Sequence, residues 1–225
     1  MNPQLLQPIE LLPDTGQAQQ LFIFLHGVGT VASDLLPLAH QFRQTFPQAA
    51  FVLLPGIRPF SGNPNRREWF SINGVTEDNR YERVSEVLPN LHDLVSAAQN
   101  RFGILQSDTA LLGFSQGAIV AMEFGIKHDG HVGRILAFSG RFARLPNAAP
   151  QLTTLHMFHG ENDSVISVTH AQQAFNRLLE LNGDATLDVD AASGHGISPA
   201  LIECSLHRLQ TCIPMRTWKR VMEST

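Results

Sequence analysis

A chain of 225 residues, of which 43% are hydrophobic, can bury a full core, and one domain over residues 1–225 is the expected arrangement. The formal net charge is −4 and no basic run is longer than two residues, which argues against a nucleic-acid partner. The chain shows no secretory signal pattern and no apolar run of membrane-spanning length, so we expect a cytoplasmic protein without stable membrane insertion.

Short apolar runs alternate with longer amphipathic segments, a pattern typical of an α/β fold in which helices cover both faces of a mostly parallel sheet. The apolar runs predict strands at 21–25, 51–54, 109–112, 135–138, 154–158 and 186–189, with a further edge strand within 5–12. Helical spacing or helix-start residues predict helices at 33–46, 82–101, 116–127, 168–182 and 199–211. Cys204 lies in the last of these and Cys212 directly follows it, about 12 Å away along the axis if the helix continues, which is too far for a disulfide.

Two loop segments in the first third of the chain have compositions that favour a binding or catalytic site. The first predicted strand runs into His26-Gly27-Val28-Gly29, whose glycines allow the backbone to turn its amides inward. Residues 55–79 form a long irregular stretch that contains Trp69 and Phe70, and loops of that length are usually functional. We therefore predict that Trp69 and Phe70 bind substrate, with packing in a satellite core as the alternative.

The segment Gly113-Phe114-Ser115-Gln116-Gly117 lies between a predicted strand and a predicted helix, the context of a serine nucleophile. So sharp a turn gives the serine strained dihedral angles, and the flanking glycines avoid clashes with the neighbouring backbone. Ser115 would also lie at a helix N-terminus, where the helix dipole favours negative charge. A turn that merely needs small residues is the alternative interpretation.

A serine hydroxyl needs a general base within hydrogen-bond reach and a carboxylate that orients that base. The strand ending near residue 158 is followed by Asp163, and the strand ending near residue 190 is followed by His195 between two glycines. Parallel strands end at one edge of the sheet, so we predict Ser115, Asp163 and His195 as a catalytic triad, in the chain order of the α/β-hydrolase fold. Three other acids compete with Asp163 for this role: Asp184, Asp188 and Asp190.

Acyl transfer also requires two backbone amides that point at one oxyanion. The residue after the nucleophile supplies one amide and a loop after an early strand supplies the other, so we predict Gln116 and Val28 as the donors.

Taken together, these segments resemble the phospholipase/carboxylesterase family, which includes the acyl-protein thioesterases. The resemblance extends over about residues 21–213 and rests on five motifs: His26-Gly27-Val28-Gly29, Trp69-Phe70, Gly113-Phe114-Ser115-Gln116-Gly117, His159-Gly160 with Asp163, and Gly194-His195. Through residues 61–64, 69–71 and 76–80 the chain is similar to a group of small bacterial esterases in that family. The resemblance implies the same triad and the same oxyanion donors. Acyl-protein thioesterases usually carry aspartate where this chain has Thr30 and Ser71, which argues against protein thioesters as substrates.

The resulting expectation is a serine carboxylesterase that acts on a small-molecule ester through an acyl-serine intermediate. Its alternatives are a thioesterase or lysophospholipase with the same triad, peptide-bond hydrolysis, and a non-catalytic member of the fold that binds a ligand. No His-Glu-x-x-His pair or paired-cysteine motif is present, so we predict neither a metal nor a cofactor.

Overall fold

The computed structural model describes residues 7–214 and 216–217. Its strands are β1 (Ile9–Leu11), β2 (Gln20–Leu25), β3 (Ala49–Leu54), β4 (Arg58–Phe60), β5 (Asn63–Glu68), β6 (Thr109–Phe114), β7 (Arg134–Phe138), β8 (Thr154–Gly160) and β9 (Ala185–Asp190). Its α-helices are α1 (Leu36–Thr45), α2 (Glu77–Ser85), α3 (Leu88–Phe102), α4 (Gln116–Lys127), α5 (Val168–Glu180) and α6 (Pro199–Thr211). The main sheet has the order β1-β3-β2-β6-β7-β8-β9, and β4 pairs with β5 in a separate hairpin.

The main sheet is parallel except at its edge, where β1 pairs antiparallel with β3. The predicted edge strand therefore exists at Ile9–Leu11, while its first residues, 5 and 6, lie outside the described part of the chain. The other predicted strands are confirmed, with ends that extend by one to two residues in several cases.

Helices cover both faces of the sheet, as predicted, because the central strands bury side chains on both sides. Along β2, Leu21, Ile23 and Leu25 belong to one hydrophobic cluster, whereas Phe22 and Phe24 belong to another. This alternation follows from the two-residue period of a strand. The first cluster includes residues of α2, α3, α4 and α5, and the second includes residues of α1 and α6.

The predicted helix at 82–101 is instead two helices, and this prediction was wrong. Helix α2 starts earlier because Thr76 and Asn79 form a reciprocal cap: the Thr76 hydroxyl accepts from the Asn79 amide, and the Asn79 side chain accepts from the Thr76 amide. Helix α3 then starts anew at Leu88 with Pro89 in its first turn. A proline there has no N–H to donate and its ring would clash with a preceding helical turn, so the break falls before it.

Residues 55–79 are more ordered than the sequence predicts, because they contain the β4–β5 hairpin. Strand β5 is almost entirely polar, so it lacks the alternating apolar pattern by which strands are predicted. The Gly29 amide donates to the Arg67 carbonyl over 2.9 Å, and the Arg67 amide donates to the Thr30 carbonyl over 2.9 Å. The hairpin therefore holds the loop that follows β2.

Helix α4 carries one buried acid, Glu123, on the side that faces the segment after β7. Its Oε1 atom accepts hydrogen bonds from the amides of Ala143, at 2.7 Å, and Arg144, at 3.3 Å. Burial raises the pKa of Glu123 to about 7, against the opposing effect of these two amides and the Arg144 charge. The folded protein therefore keeps a proton on Glu123 that the unfolded chain releases at lower pH.

We expect Glu123→Gln to change the pH dependence of stability. A raised pKa in the folded state means that the wild type loses stability as pH rises from about 4.5 to about 7, by on the order of 3 kcal/mol. The neutral glutamine does not titrate. The unfolding free energy of the variant should therefore increase relative to that of the wild type as the pH rises through this range. Urea unfolding at a series of pH values measures it, and Glu180→Gln, on an exposed carboxylate, is the control. Parallel profiles for wild type and Glu123→Gln would contradict the expectation.

Candidate active site

Ser115 occupies the turn between β6 and α4, with φ 53° and ψ −114°. Such a left-handed conformation is strained for a residue with a side chain and is typical of a nucleophile on a strand-to-helix turn. A Cβ atom on Gly113 would lie 2.3 Å from the Gly117 carbonyl oxygen, and one on Gly117 would lie 2.2 Å from the Leu25 carbonyl oxygen. Both glycines are therefore required by close backbone contacts, as the sequence predicts.

The structure brings the three predicted side chains of the triad together. The Nε2 atom of His195 lies 3.0 Å from the Ser115 hydroxyl oxygen, and its Nδ1 atom lies 2.8 Å from Oδ2 of Asp163. Because a carboxylate only accepts, Nδ1 carries the proton and Nε2 is left to accept from the serine hydroxyl. The chain of hydrogen bonds thus has the direction that proton removal from Ser115 requires.

Asp163 is buried and is held from several sides. Its Oδ1 atom accepts from the amides of Val165, at 2.8 Å, and Ile166, at 2.9 Å. Burial opposes ionisation, but the hydrogen bond from His195 and the two amides outweigh it and leave the pKa of Asp163 below its usual range. His159 also approaches Oδ2 to 3.1 Å while its Nε2 atom donates to the Ile166 carbonyl. Asp163 therefore remains an anion in a fixed orientation.

The three competing acids have other partners. Asp184 forms an ion pair with Arg216, and Asp188 forms one with Arg208. Asp190 accepts from the Ser198 hydroxyl and the Ala192 amide. None of these contacts involves His195, so the geometry favours Asp163 as its partner.

A cavity of about 280 Å³ opens at Ser115. Val28 and Gln116, the predicted oxyanion donors, line it together with the serine. Gln116 is the first residue of α4, a position whose N–H has no acceptor within the helix. The cavity is lined by Val28, Phe70, Ile72, Val75, Arg80, Ser115, Gln116, Ile119, Arg141, Val165, Ile166 and His170.

The sequence model of the family described as "Phospholipase/Carboxylesterase" matches residues 9–213 of this chain. The chain belongs to the phospholipase/carboxylesterase family. It is therefore a hydrolase, and the resemblance inferred from the motifs is confirmed.

Individual relatives agree with this family membership. The chain is 41% identical over 197 residues to Esterase YpfH of Escherichia coli strain K12, a match that covers 88% of this chain and 84% of that protein. It is 26% identical to Acyl-protein thioesterase 1 of Gibberella zeae, over 84% of this chain and 88% of the relative. Among solved structures, esterase PE8 superposes with a TM-score of 0.81 at 28% identity, over 90% of this chain and 96% of that one. The α/β-hydrolase fold is thereby confirmed.

The two positions that depart from the acyl-protein thioesterases within this family carry small hydroxyl groups with local partners. Thr30 donates its hydroxyl proton to the Gly27 carbonyl over 2.7 Å, and the Ser71 hydroxyl accepts from the Asn73 amide over 3.3 Å. Both side chains stabilise turns beside the site. Neither adds a carboxylate to the cavity, whose described lining contains no acidic residue.

His26 links the loop after β2 to its surroundings. Its Nε2 atom accepts from the Gly56 amide at 2.8 Å, so Nδ1 carries the proton and donates to the Gly27 carbonyl at 2.7 Å. Burial lowers the pKa of His26, which favours this neutral form. The loop that contains Val28 is therefore held by a histidine on one side and by the β4–β5 hairpin on the other.

Trp69 and Phe70, predicted together as substrate-binding residues, lie in different environments. Trp69 is fully buried and donates its indole N–H to the His26 carbonyl over 2.9 Å, so it supports the cavity wall from behind. Phe70 lines the cavity itself. The Gln116 side chain connects them, because its Oε1 atom accepts from the Trp69 amide and its Nε2 donates to the Phe70 carbonyl. These two hydrogen bonds of the Gln116 side chain were not predicted, since the position directly after the nucleophile predicts a role only for the backbone amide of that residue.

Ser139 is a second residue that the sequence does not reveal. It lies just after β7, fully buried, with a φ of 49°. Its amide donates to the Phe158 carbonyl over 2.8 Å, and its hydroxyl donates to the Gly196 carbonyl over 3.1 Å. Ser139 therefore ties the loop of His195 to the sheet. A serine at a strand end carries no sequence signal that distinguishes this role from an ordinary turn.

Two further kinds of feature are absent from the described residues. No group of three or more histidine, cysteine, aspartate or glutamate side chains there is arranged to hold a metal ion. In the same residues, no helix is long and apolar enough to cross a membrane.

Proposed function

We propose that this member of the family is a serine carboxylesterase, which hydrolyses a carboxylic ester through an acyl-serine intermediate. The observation that carries the proposal is the continuous hydrogen-bonded chain from the Ser115 hydroxyl through His195 to Asp163. The residues of this site, and the cavity beside it, come from one sheet and its connections, so we propose that a single domain performs the reaction.

In the first half of the reaction, Ser115 attacks the ester carbonyl carbon and His195 accepts its proton at Nε2. The negative charge that develops on the carbonyl oxygen is stabilised by the amides of Val28 and Gln116, each donor contributing about 3 kcal/mol in the transition state. His195 then gives its proton to the departing alcohol. Asp163 stabilises the imidazolium throughout, which its low pKa permits because it stays ionised.

In the second half, a water molecule replaces the alcohol. His195 removes a proton from this water as it attacks the acyl-serine carbonyl, and the same two amides stabilise the second tetrahedral intermediate. When that intermediate collapses, His195 returns the proton to Ser115 and the carboxylic acid is released.

Labelling by a fluorophosphonate tests the nucleophile. We expect stoichiometric modification of Ser115, identified by mass spectrometry of the labelled peptide, because the reagent is an acyl-like electrophile that requires an activated serine. Ser115→Ala is the matched control and should take up no label. A folded protein that remains unlabelled would instead support the alternative of a non-catalytic member that binds a ligand in the cavity.

A thioesterase on the same triad is the second candidate, favoured by the acyl-protein thioesterase relatives at 25–26% identity. An oxygen ester and a thioester with the same acyl group, compared by kcat/KM, separate the two. A series of acyl lengths and one lysophospholipid, measured in the same way, give the acyl preference and test the lysophospholipase alternative.

A further inference from the structure

The ionisable side chains described in the lining of the catalytic cavity are all basic. Among the described residues of the lining they are Arg80, Arg141 and His170, and no acid accompanies them. They come from separate parts of the fold: Arg80 from α2, Arg141 from the segment after β7, and His170 from α5. The remaining wall is largely apolar, formed by Phe70, Ile72, Val75, Ile119, Val165 and Ile166. The cavity thus joins an apolar wall to a cationic one.

The Glu77 carboxylate accepts hydrogen bonds from both guanidinium groups behind this wall. Arg141 contacts it with two nitrogens, Nη1 to Oε1 at 3.2 Å and Nη2 to Oε2 at 2.7 Å, and Arg80 donates to the same Oε1 through its own Nη1. The hydrogen bond from Arg80, which has the largest effect, and the one from Arg141 lower the pKa of Glu77 to about 2. One carboxylate therefore faces two guanidinium groups, and one positive charge remains without compensation in this cluster.

The two arginine side chains differ in how many further hydrogen bonds they form. Arg141 also donates Nε to the Phe142 carbonyl at 3.1 Å and approaches Nε2 of His170 to 3.3 Å. In the described part of the chain, the Arg80 side chain hydrogen-bonds Glu77 alone, which leaves most of its guanidinium N–H groups for a ligand. Only 16% of each arginine side chain is exposed, so a bound anion would be partly shielded from water.

We propose that the ester cleaved here carries a carboxylate group, which Arg80 binds at the cavity wall with Arg141 beside it. A planar guanidinium matches a carboxylate with two parallel hydrogen bonds, and the excess positive charge favours an anion over a neutral group. The apolar wall accommodates the hydrocarbon part of the same substrate. This inference rests on the proposed esterase function, because it assigns a substrate class to that site.

A neighbouring cavity on the opposite side of Arg141 limits where an anion can bind. Arg141 and His170 also line a neighbouring cavity of about 690 Å³, in which Glu77, Asp78, Glu82 and Arg144 are further charged residues. The acids there repel an anion. The carboxylate is therefore bound on the face of the wall that looks toward Ser115.

The test compares pairs of esters in which a carboxylate replaces a neutral group. Mono(4-nitrophenyl) glutarate against 4-nitrophenyl pentanoate places the carboxylate on the acyl part, and 4-carboxyphenyl butanoate against 4-carbamoylphenyl butanoate places it on the alcohol part. We expect wild-type kcat/KM, corrected for alkaline hydrolysis of each ester, to be at least about tenfold higher for the anionic member of one pair. The ratio should fall as salt screens the charges.

Three variants separate a binding role from a structural one. Arg80→Gln should lower the anionic-to-neutral ratio of kcat/KM about tenfold, through a higher KM for the anionic ester. Glu77→Gln keeps both arginines and removes the compensating carboxylate, so it should raise the ratio. If the cluster merely stabilised the fold, Glu77→Gln and Arg80→Gln would act in the same direction. Arg101→Gln, an equal change of charge on an exposed side chain of α3, should leave the ratio unchanged.

Equal or lower kcat/KM for the anionic ester in both pairs would overturn the inference, as would a fall of the ratio in Glu77→Gln. These failures leave the esterase proposal intact as long as 4-nitrophenyl pentanoate is hydrolysed. If no ester is cleaved and Ser115 takes up no fluorophosphonate, the proposed function fails and this inference fails with it.

Discussion

Ser115→Ala is expected to lower the turnover of a short-chain aryl ester by a factor on the order of 10⁶ while the protein stays folded. The hydroxyl is the only group that the proposed mechanism uses to form the acyl-enzyme bond, so its loss leaves the oxyanion amides and the binding cavity without a nucleophile. The fold should tolerate the change for a specific reason: although Ser115 precedes α4, its side chain makes no capping hydrogen bond to that helix.

Steady-state rates on a 4-nitrophenyl ester, with thermal unfolding recorded in parallel, measure both halves of this expectation. Ser96→Ala, on α3 and outside the lining of the cavity, is the matched control and should keep its activity. Residual turnover of more than about one part in a hundred in folded Ser115→Ala would indicate a different nucleophile.

Asp163→Asn is expected to lower kcat by about 10⁴. The structure dictates which way the new amide points, because Oδ1 accepts from the backbone amides of Val165 and Ile166 and its position must stay a carbonyl oxygen. The NH₂ group then takes the place of Oδ2, opposite Nδ1 of His195. A donor there favours the imidazole tautomer with its proton on Nε2, which cannot accept a proton from Ser115.

Asp190→Asn is the control for this prediction, because Asp190 was the competing acid nearest to His195 in the sequence. Its carboxylate contacts Ser198 and Ala192, so the variant should retain near wild-type kcat. A loss of kcat in Asp190→Asn that equals the loss in Asp163→Asn would show that the acid has been misassigned.

The turn around Ser115 could be predicted from sequence because its requirements are local. A sharp turn between a strand and a helix needs glycines where backbones meet, and Gly113 and Gly117 each lie against a carbonyl oxygen at less than 2.5 Å from where a Cβ atom would stand. The ends of the parallel strands could be predicted as well, since each apolar run is followed by a polar segment. This is why Asp163 and His195 could be proposed from their positions alone.

Interactions between distant segments could not be predicted in this way. The buried position of Trp69 depends on the His26 carbonyl, 43 residues away. The cluster of Glu77 with Arg80 and Arg141 depends on a contact across 64 residues, and in the sequence each member has the character of an ordinary surface charge.

The sequence by itself therefore determined the class of fold and the turn that carries Ser115, and it left four aspartates as candidates for the acid of the proposed triad. These features follow from the periodicity of burial and from the few conformations that glycine alone can adopt. Only the tertiary structure decided which acid faces His195, which of two aromatic residues lines the cavity, and which charges meet at its wall. Such choices depend on the packing of segments far apart in the chain, because burial and hydrogen bonding are settled only once those segments are in contact.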